Sequence, residues 1–225
     1  MQTELKFIAT PEKGNVSAIL DHPDQAQALL VLGHGSGSHM RHSLISGLSD
    51  ALVRQGIATF RYQYPYSEKG GGGLDSRQVL LETVRKAIEK AGQESGGLPL
   101  FAGGHSMSGR MITLAETEAT LPVRGIVCFA FPVNGGKGPG ERAAHFPQVQ
   151  KPLLFHQGTQ DKLADITVME EVVHAIKDRT TLHTVDTADH GFQVLKRSGK
   201  THEQVIDDLA QVTAEWIATV LSPIR

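Results

Sequence analysis

The chain has 225 residues, of which 40% are hydrophobic and 20% charged, and its 22 basic and 24 acidic side chains give a formal net charge of -2. This composition is that of a globular domain, and with no basic excess it argues against nucleic acid or an anionic membrane as a partner. A single cysteine excludes an intrachain disulfide framework, so we expect one domain, residues 1–225, stabilised by an ordinary apolar core.

Short β-type runs alternate along the chain with longer helical patterns. Strands are predicted at Leu5–Ala9, Val16–Leu20, Ala28–Leu32, Gly56–Arg61, Leu98–Ala102, Ile126–Phe131, Leu153–His156 and Leu182–Val185. Helices are predicted at Ser43–Gln55, Asp75–Ala91, Met111–Ala119, Ile166–Ile176 and Glu203–Leu221. Asp75 and Gln78 have the spacing of a capping box at the start of the second helix. The alternation favours a mainly parallel sheet with helices on both faces.

Two glycine-rich segments separate these elements. Lys69–Leu74 contains four consecutive glycines and is predicted to be a flexible connector, since it lacks the Gly-Lys-Ser/Thr ending of a phosphate-binding loop. Pro132–Gln150 is the longest irregular segment and carries Gly135, Gly136, Gly138 and Gly140. It is too short to hold a helical lid domain, so we predict no sizeable lid.

The segment Leu98–Arg110 has the pattern of a nucleophile elbow. An apolar run leads into Gly104-His-Ser-Met-Ser108, and a helical pattern follows. A sharp turn between strand and helix exposes the hydroxyl of its central serine and needs small residues two positions before and after it. Gly104 meets that need, and Ser108 stands where a second glycine is usual. The pattern predicts Ser106 as a nucleophile at the carboxyl end of the sheet.

In enzymes with such an elbow, an acid and then a histidine follow the serine along the chain. Asp161 comes after the strand Leu153–His156 and a Gly158 turn, and we predict it to be the acid. Asp165 is the alternative, although its position favours a helix cap.

The predicted base is His190, which lies in a loop after the last strand and ahead of the last helix. Of the chain's 11 histidines, His183 falls within that strand and His202 at the start of that helix. Asp189, next to His190, is interpreted as a loop residue.

A further glycine-rich loop follows the third strand, at Leu32–Ser38. A tetrahedral intermediate needs two backbone N–H donors, one from the residue after the nucleophile and one from such a loop. We predict Met107 and Ser36 as these donors. Gly35 and Gly37 shape the turn, and His34 supports the loop by hydrogen bonding.

His34, His39 and His42 also allow a metal reading. No matching cluster of carboxylates or cysteines accompanies them in the sequence, so we predict no metal site and no cofactor.

These motifs resemble those of small α/β-hydrolases related to dienelactone hydrolase, and among them the testis-expressed-protein-30-like group. The matching segments are Gly33–Gly37, Phe60–Tyr66, Gly103–Met107 and Gln157–Asp161. The resemblance implies an α/β-hydrolase fold, a three-layer domain with an eight-stranded, mostly parallel sheet, and Ser-Asp-His chemistry. Dienelactone hydrolases use a cysteine nucleophile, whereas this chain has Ser106, so their substrate is not carried over.

The sequence therefore predicts a serine hydrolase that cleaves a small carboxylic ester or thioester, with amide hydrolysis and acyl transfer left open. The alternative is a hydrolase-fold interaction module that does not catalyse. The expected partner is a small acyl substrate, and the protein is expected to be a monomer or a homodimer. Met1–Lys6 lacks the basic and apolar regions of a signal peptide, and no apolar run reaches the roughly 18–20 residues that cross a bilayer. We therefore expect a cytoplasmic protein.

Overall fold

The predicted apolar runs form one eight-stranded sheet in the computed structural model, which describes residues 1–70, 73–135 and 138–222. The strands are β1 (Gln2–Thr10), β2 (Gly14–Asp21), β3 (Ala28–Gly33), β4 (Ile57–Tyr62), β5 (Leu100–His105), β6 (Ile126–Phe129), β7 (Leu153–Gly158) and β8 (Thr180–Val185). Their order is β1-β2-β4-β3-β5-β6-β7-β8. Pairing is antiparallel where β2 meets β1 and β4, and parallel from β4 to β8. Gly71 and Gly72 of the predicted connector, and Gly136, lie outside the described residues.

Helices cover the sheet on both faces. Six are present in the described part of the chain: α1 (Ser43–Arg54), α2 (Pro65–Glu68), α3 (Arg77–Glu94), α4 (Met107–Glu118), α5 (Ile166–His174) and α6 (His202–Leu221). The apolar sides of α1 and α6 belong to one buried cluster, and those of α3, α4 and α5 to the other. This arrangement confirms the predicted three-layer architecture with a mostly parallel sheet.

Strand β3 illustrates why these runs are apolar without interruption. All six of its residues are buried. Leu29 and Val31 pack into the cluster on one face, whereas Leu30 and Leu32 pack into the cluster on the other. Side chains alternate between the faces of a strand, so a strand covered on both faces needs an apolar residue at every position.

The predicted cap of α3 and the predicted end of β6 are wrong, and other element bounds shift by a few residues. Ser76, not Asp75, caps α3, because its hydroxyl accepts a hydrogen bond from the Val79 N–H. Asp75 instead accepts one from the Tyr66 N–H at 2.7 Å and pairs with Lys13 at 2.7 Å. Strand β6 ends at Phe129 rather than at Phe131, because Ala130 takes a left-handed φ of 53° that the strand cannot continue through.

The segment 132–150 contributes to the core where it is described. Two single 3-10 turns lie in it, Glu141–Ala143 and Phe146–Gln148. The Phe146 ring is buried, with its centroid 4.8 Å from that of Phe131 and 5.2 Å from that of Phe155. The segment thus places its large aromatic side chain in the core. In the described ranges, no helix has the length and apolarity needed to cross a membrane.

Candidate active site

Ser106 lies at the junction of β5 and α4, in a backbone conformation that few residues other than glycine adopt. Its φ and ψ are 53° and -111°, and its N–H donates to the carbonyl oxygen of Phe129 at 2.8 Å. Such strain persists only where the surrounding structure imposes it, and it is found at active sites. Gly104 is required beside it, because a Cβ there would come within 2.4 Å of the Ser108 Cβ.

The structure brings His190 and Asp161 to Ser106 in a single hydrogen-bonded row. His190 Nδ1 is 2.7 Å from Asp161 Oδ2, and His190 Nε2 is 2.8 Å from Ser106 Oγ. The ionised carboxylate only accepts, so Nδ1 carries the proton and Nε2 is left to accept the proton of the serine hydroxyl. Asp161 is held further by the Gln157 amide at 2.7 Å and the Leu163 N–H at 2.8 Å.

The loops that carry Asp161 and His190 are joined to each other. The Gln160 N–H donates to the carbonyl oxygen of Ala188 at 2.9 Å, and the Thr187 N–H to Thr159 Oγ1 at 2.8 Å. Gly158 makes this approach possible, since a Cβ there would lie 2.3 Å from the Ala188 carbonyl oxygen. We call these paired loops the Asp161–His190 loop pair: residues 158–164 after β7 and 186–193 after β8.

The alternative acid and bases have other roles. Asp165 caps α5, and its Oδ1 accepts from the Thr167 N–H at 2.9 Å. Asp189 Oδ1 accepts from two N–H groups of its own loop. His183 lies in β8, with its Nδ1 2.9 Å from that of His156. His202 is the first residue of α6, and its Nδ1 lies 3.1 Å from the Phe192 carbonyl oxygen.

His105 contacts the site although the sequence assigned it no role. Its Nε2 lies 2.8 Å from the His190 carbonyl oxygen, and its ring centroid is 5.0 Å from that of His190. A carbonyl only accepts, so His105 donates through Nε2 and holds the backbone of His190. Burial lowers the pKa of His105 to about 4, which keeps the ring neutral at ordinary pH. In the sequence, the feature that pointed to His105 was its position next to Ser106.

The predicted donors of an oxyanion hole lie on two segments that meet at Ser106. A Cβ on Gly35 would lie 2.7 Å from His105 Nδ1 and 3.7 Å from the Ser106 Cβ, so the loop after β3 passes beside the serine. Gly37 takes a φ of +68°. Met107 is the first residue of α4, a position whose N–H has no acceptor within a helix.

His34 and His42, two of the three histidines of the early loop, make separate side-chain hydrogen bonds. His34 is fully buried, with its Nδ1 2.9 Å from the Gly35 carbonyl oxygen, and His42 Nδ1 caps α1 by accepting from the Leu44 N–H at 3.3 Å. The His39 and His42 ring centroids are 6.1 Å apart. In residues 1–70, 73–135 and 138–222, no three His, Cys, Asp or Glu side chains are grouped so as to hold a metal ion together.

Buried neutral histidines make the stability of the protein sensitive to acid. Burial lowers the pKa of His34, His105 and His145 to about 4 and that of His156 well below its usual value. In the unfolded chain these groups take up protons near pH ~6.5, so below that pH the unfolded state binds more protons than the folded state. We therefore expect the free energy of unfolding to fall on acidification, by up to about 1.4 kcal/mol per pH unit for each such histidine.

Urea denaturation at intervals between about pH 7 and pH 5 tests this expectation, because carboxylates contribute little there. His145→Gln retains a polar partner for Thr113 Oγ1, which lies 2.8 Å from His145 Nε2, and should reduce the slope. His174→Gln, at an exposed position on α5, is the matched control and should leave it unchanged. Stability that stays constant or rises over this interval would contradict the assignment of these rings as neutral.

Comparisons with known proteins agree with this architecture. A family model described as an alpha/beta hydrolase domain matches residues 26–218. XC6422 from Xanthomonas campestris, described as a serine hydrolase without a lid, is 18% identical with a TM-score of 0.76, covering 100% of this chain and 97% of its own. Dienelactone hydrolase from Anabaena variabilis is 18% identical with a TM-score of 0.74, covering 97% and 98%. Est1E from Butyrivibrio proteoclasticus is 17% identical with a TM-score of 0.71, covering 91% and 95%.

Proposed function

The chain belongs to the α/β-hydrolase domain family, and from this premise we propose that it is a serine hydrolase that cleaves small carboxylic esters or thioesters. The observation that carries the proposal is the row of contacts from Asp161 through His190 to Ser106, with distances of 2.7 and 2.8 Å. Membership of the testis-expressed-protein-30-like group stays a prediction.

The proposed reaction begins with proton transfer from Ser106 to His190. A serine hydroxyl is a weak nucleophile until a base takes its proton, and the unprotonated Nε2 of His190 is placed to do so. Ser106 Oγ then bonds to the acyl carbon, and the resulting imidazolium donates its proton to the departing alcohol or thiol. Asp161 stabilises the imidazolium throughout. A water molecule, deprotonated by His190, releases the acid from the acyl-enzyme.

Each tetrahedral intermediate carries a negatively charged oxygen. We assign the Ser36 and Met107 N–H groups as the donors that stabilise this oxyanion. Met107 adds the positive end of the α4 dipole, since its N–H points out of the first turn. Removal of one such donor typically raises the barrier by about 3–4 kcal/mol, so the position of the Ser36 loop has a large effect on the rate.

A fluorophosphonate probe distinguishes this hydrolase from the alternative, an interaction module that does not catalyse. Such probes react fast only with a serine activated by a base. We expect stoichiometric labelling of the native protein at Ser106, located by peptide mass mapping, and loss of labelling after denaturation. Labelling no faster than that of the denatured protein would favour the silent module.

We further expect a preference for short or compact acyl groups. In the described part of segment 132–150, Ala143, Phe146 and Val149 are buried in the core, so these apolar side chains are not available to line a long acyl channel. Each CH₂ group of the acyl chain that is buried in a pocket contributes about 0.8 kcal/mol to binding. In a shallow pocket, the CH₂ groups of longer chains stay in solvent and add no binding free energy. Est1E, which has a similar fold, has been solved with ferulic acid bound, and ferulic acid is a compact acid. This supports the expectation of a compact acyl group.

The measurement is kcat/KM for an ester series from acetyl to palmitoyl at matched soluble concentrations, with and without an emulsion. The expected result is a maximum among the short or compact acyl groups and no increase at the emulsion surface. Values that keep rising to the longest chains, or interfacial activation, would contradict the prediction of no sizeable lid.

A further inference from the structure

Ser108, which stands where this motif usually has glycine, ends a chain of three buried hydroxyl groups. Tyr62 Oη lies 3.1 Å from Tyr64 Oη, Tyr64 Oη lies 3.0 Å from Ser108 Oγ, and Ser108 Oγ lies 2.5 Å from the carbonyl oxygen of His34. Both tyrosines and Ser108 are fully buried. The hydroxyl of Ser108 therefore connects the nucleophile elbow to the loop that carries Ser36.

The direction of each hydrogen bond in this row of hydroxyl groups is fixed. The His34 carbonyl only accepts, so Ser108 donates to it. Ser108 has one hydroxyl proton, so Tyr64 donates to Ser108, and Tyr62 in turn donates to Tyr64. Burial raises the pKa of Tyr64 to about 12, which keeps its proton in place. Three donors aligned in one direction polarise one another and strengthen the last bond, the one to the loop.

A second set of contacts holds the next peptide of the same loop. The carbonyl oxygen of Gly35 accepts from His34 Nδ1 at 2.9 Å, from the Ser38 N–H at 3.2 Å and from Tyr66 Oη at 3.3 Å. In a planar trans peptide the carbonyl and the following N–H point in opposite directions. Holding the Gly35 carbonyl on His34 and Tyr66 therefore turns the Ser36 N–H away from them.

We propose that Ser108 and Tyr66, supported by Tyr64 and Tyr62, are positioning residues that fix the Ser36 N–H as an oxyanion-hole donor. This inference rests on the proposed function. Ser108 holds the His34–Gly35 peptide and Tyr66 holds the Gly35–Ser36 peptide, so two consecutive peptides are fixed from one buried cluster.

The side chains around the cluster pack closely against the start of the loop. A Cβ on Gly33 would lie 2.5 Å from Ser108 Oγ and 2.7 Å from Tyr62 Oη. The His34 ring stands edge-on to Tyr64, with centroids 5.2 Å apart. Gly33 is thus glycine because the hydroxyls of Ser108 and Tyr62 occupy the space of a side chain.

The variants Ser108→Ala and Tyr66→Phe remove one hydroxyl each and keep the bulk of the side chain. Because loss of a whole donor costs about 10²–10³ in kcat, we expect each to lower kcat by roughly tenfold to a hundredfold with little change in KM. Thr83→Val is the matched control, since its buried hydroxyl donates only to the Val79 carbonyl of its own helix, at 2.7 Å; its kcat should equal that of the wild type.

An ester and its thiono analogue, in which sulfur replaces the carbonyl oxygen, separate positioning from general damage. Sulfur accepts hydrogen bonds poorly, so a displaced donor slows hydrolysis of the ester more than that of the thionoester. The kcat for the ester divided by the kcat for the thionoester should therefore fall in both variants. An equal loss for both substrates, or wild-type kcat in both variants, would overturn the proposal.

Backbone ¹⁵N relaxation provides a readout that does not depend on turnover. We expect the Gly35 and Ser36 amides to be as ordered as β3 in the wild type and in Thr83→Val, and more mobile in Ser108→Ala and Tyr66→Phe. Unchanged order in both variants contradicts the inference whether or not the protein hydrolyses esters. Failure of fluorophosphonate labelling in the wild type, by contrast, would contradict the proposed function itself.

Discussion

Ester turnover is expected to fall on the order of 10⁶-fold when Ser106 is replaced by alanine, with no loss of fold. The substitution removes the only oxygen that His190 Nε2 contacts at 2.8 Å in the described part of the chain, and with it the acyl-enzyme route. Alanine keeps the Cβ, so the left-handed φ of 53° remains imposed by the same neighbours. The measurements are kcat for an activated short ester and the urea midpoint of the purified variant.

Ser43→Ala is the control for this experiment. Ser43 is an exposed serine at the start of α1, and its variant should turn over and label like the wild type. If Ser106→Ala retains turnover near that of the wild type in a preparation free of contaminating esterase, Ser106 is not the nucleophile and the proposed function is wrong.

Asp161→Asn is expected to lower kcat by about 10³–10⁴-fold. Oδ2 of Asp161 receives hydrogen bonds from both His190 Nδ1 and Gln157 Nε2, each at 2.7 Å. An asparagine amide cannot accept both unless its oxygen takes that place, and it carries no charge to stabilise the imidazolium. If the asparagine NH₂ faces His190 Nδ1, that nitrogen must accept a hydrogen bond and the ring proton lies on Nε2. A protonated Nε2 cannot act as a base. The kcat of the folded variant checks this prediction.

Asp165→Asn is the matched control, because it makes the same change four residues further along. Asp165 accepts hydrogen bonds at the start of α5, and asparagine caps helices about as well as aspartate. Its kcat should stay close to that of the wild type. A larger loss in Asp165→Asn than in Asp161→Asn would move the acid to Asp165.

The order of motifs along the chain was sufficient to place the residues that meet at the site. Ser106, Asp161 and His190 each follow a parallel strand, and the carboxyl ends of parallel strands meet at one edge of a sheet. The sequence therefore predicted their proximity from local patterns. Strand β5, which leads into the elbow, was also predicted, although its start shifted by two residues and its end by three.

What the sequence did not predict depends on contacts between distant segments. Ser108 is 74 residues from its acceptor at His34, and His105 is 85 residues from the carbonyl that it holds on His190. No local pattern reports such a contact. Asp75 has the spacing of a cap, but a partner in the β1–β2 turn, Lys13, pairs with it instead. In each case a tertiary partner decided the role of a polar side chain.

The Asp161–His190 loop pair follows β7 and β8, the two strands at one edge of the sheet, whereas Ser106 follows β5 in the middle of the sheet. An edge strand has a neighbour on one side only, and such strands open at a lower free energy than the centre of a fold. Fraying of β8 would carry His190 away from Ser106 while the elbow stays folded. Partial denaturation should therefore abolish activity before the whole fold is lost, and a ligand that bridges Ser106 and His190 would stabilise this edge of the sheet.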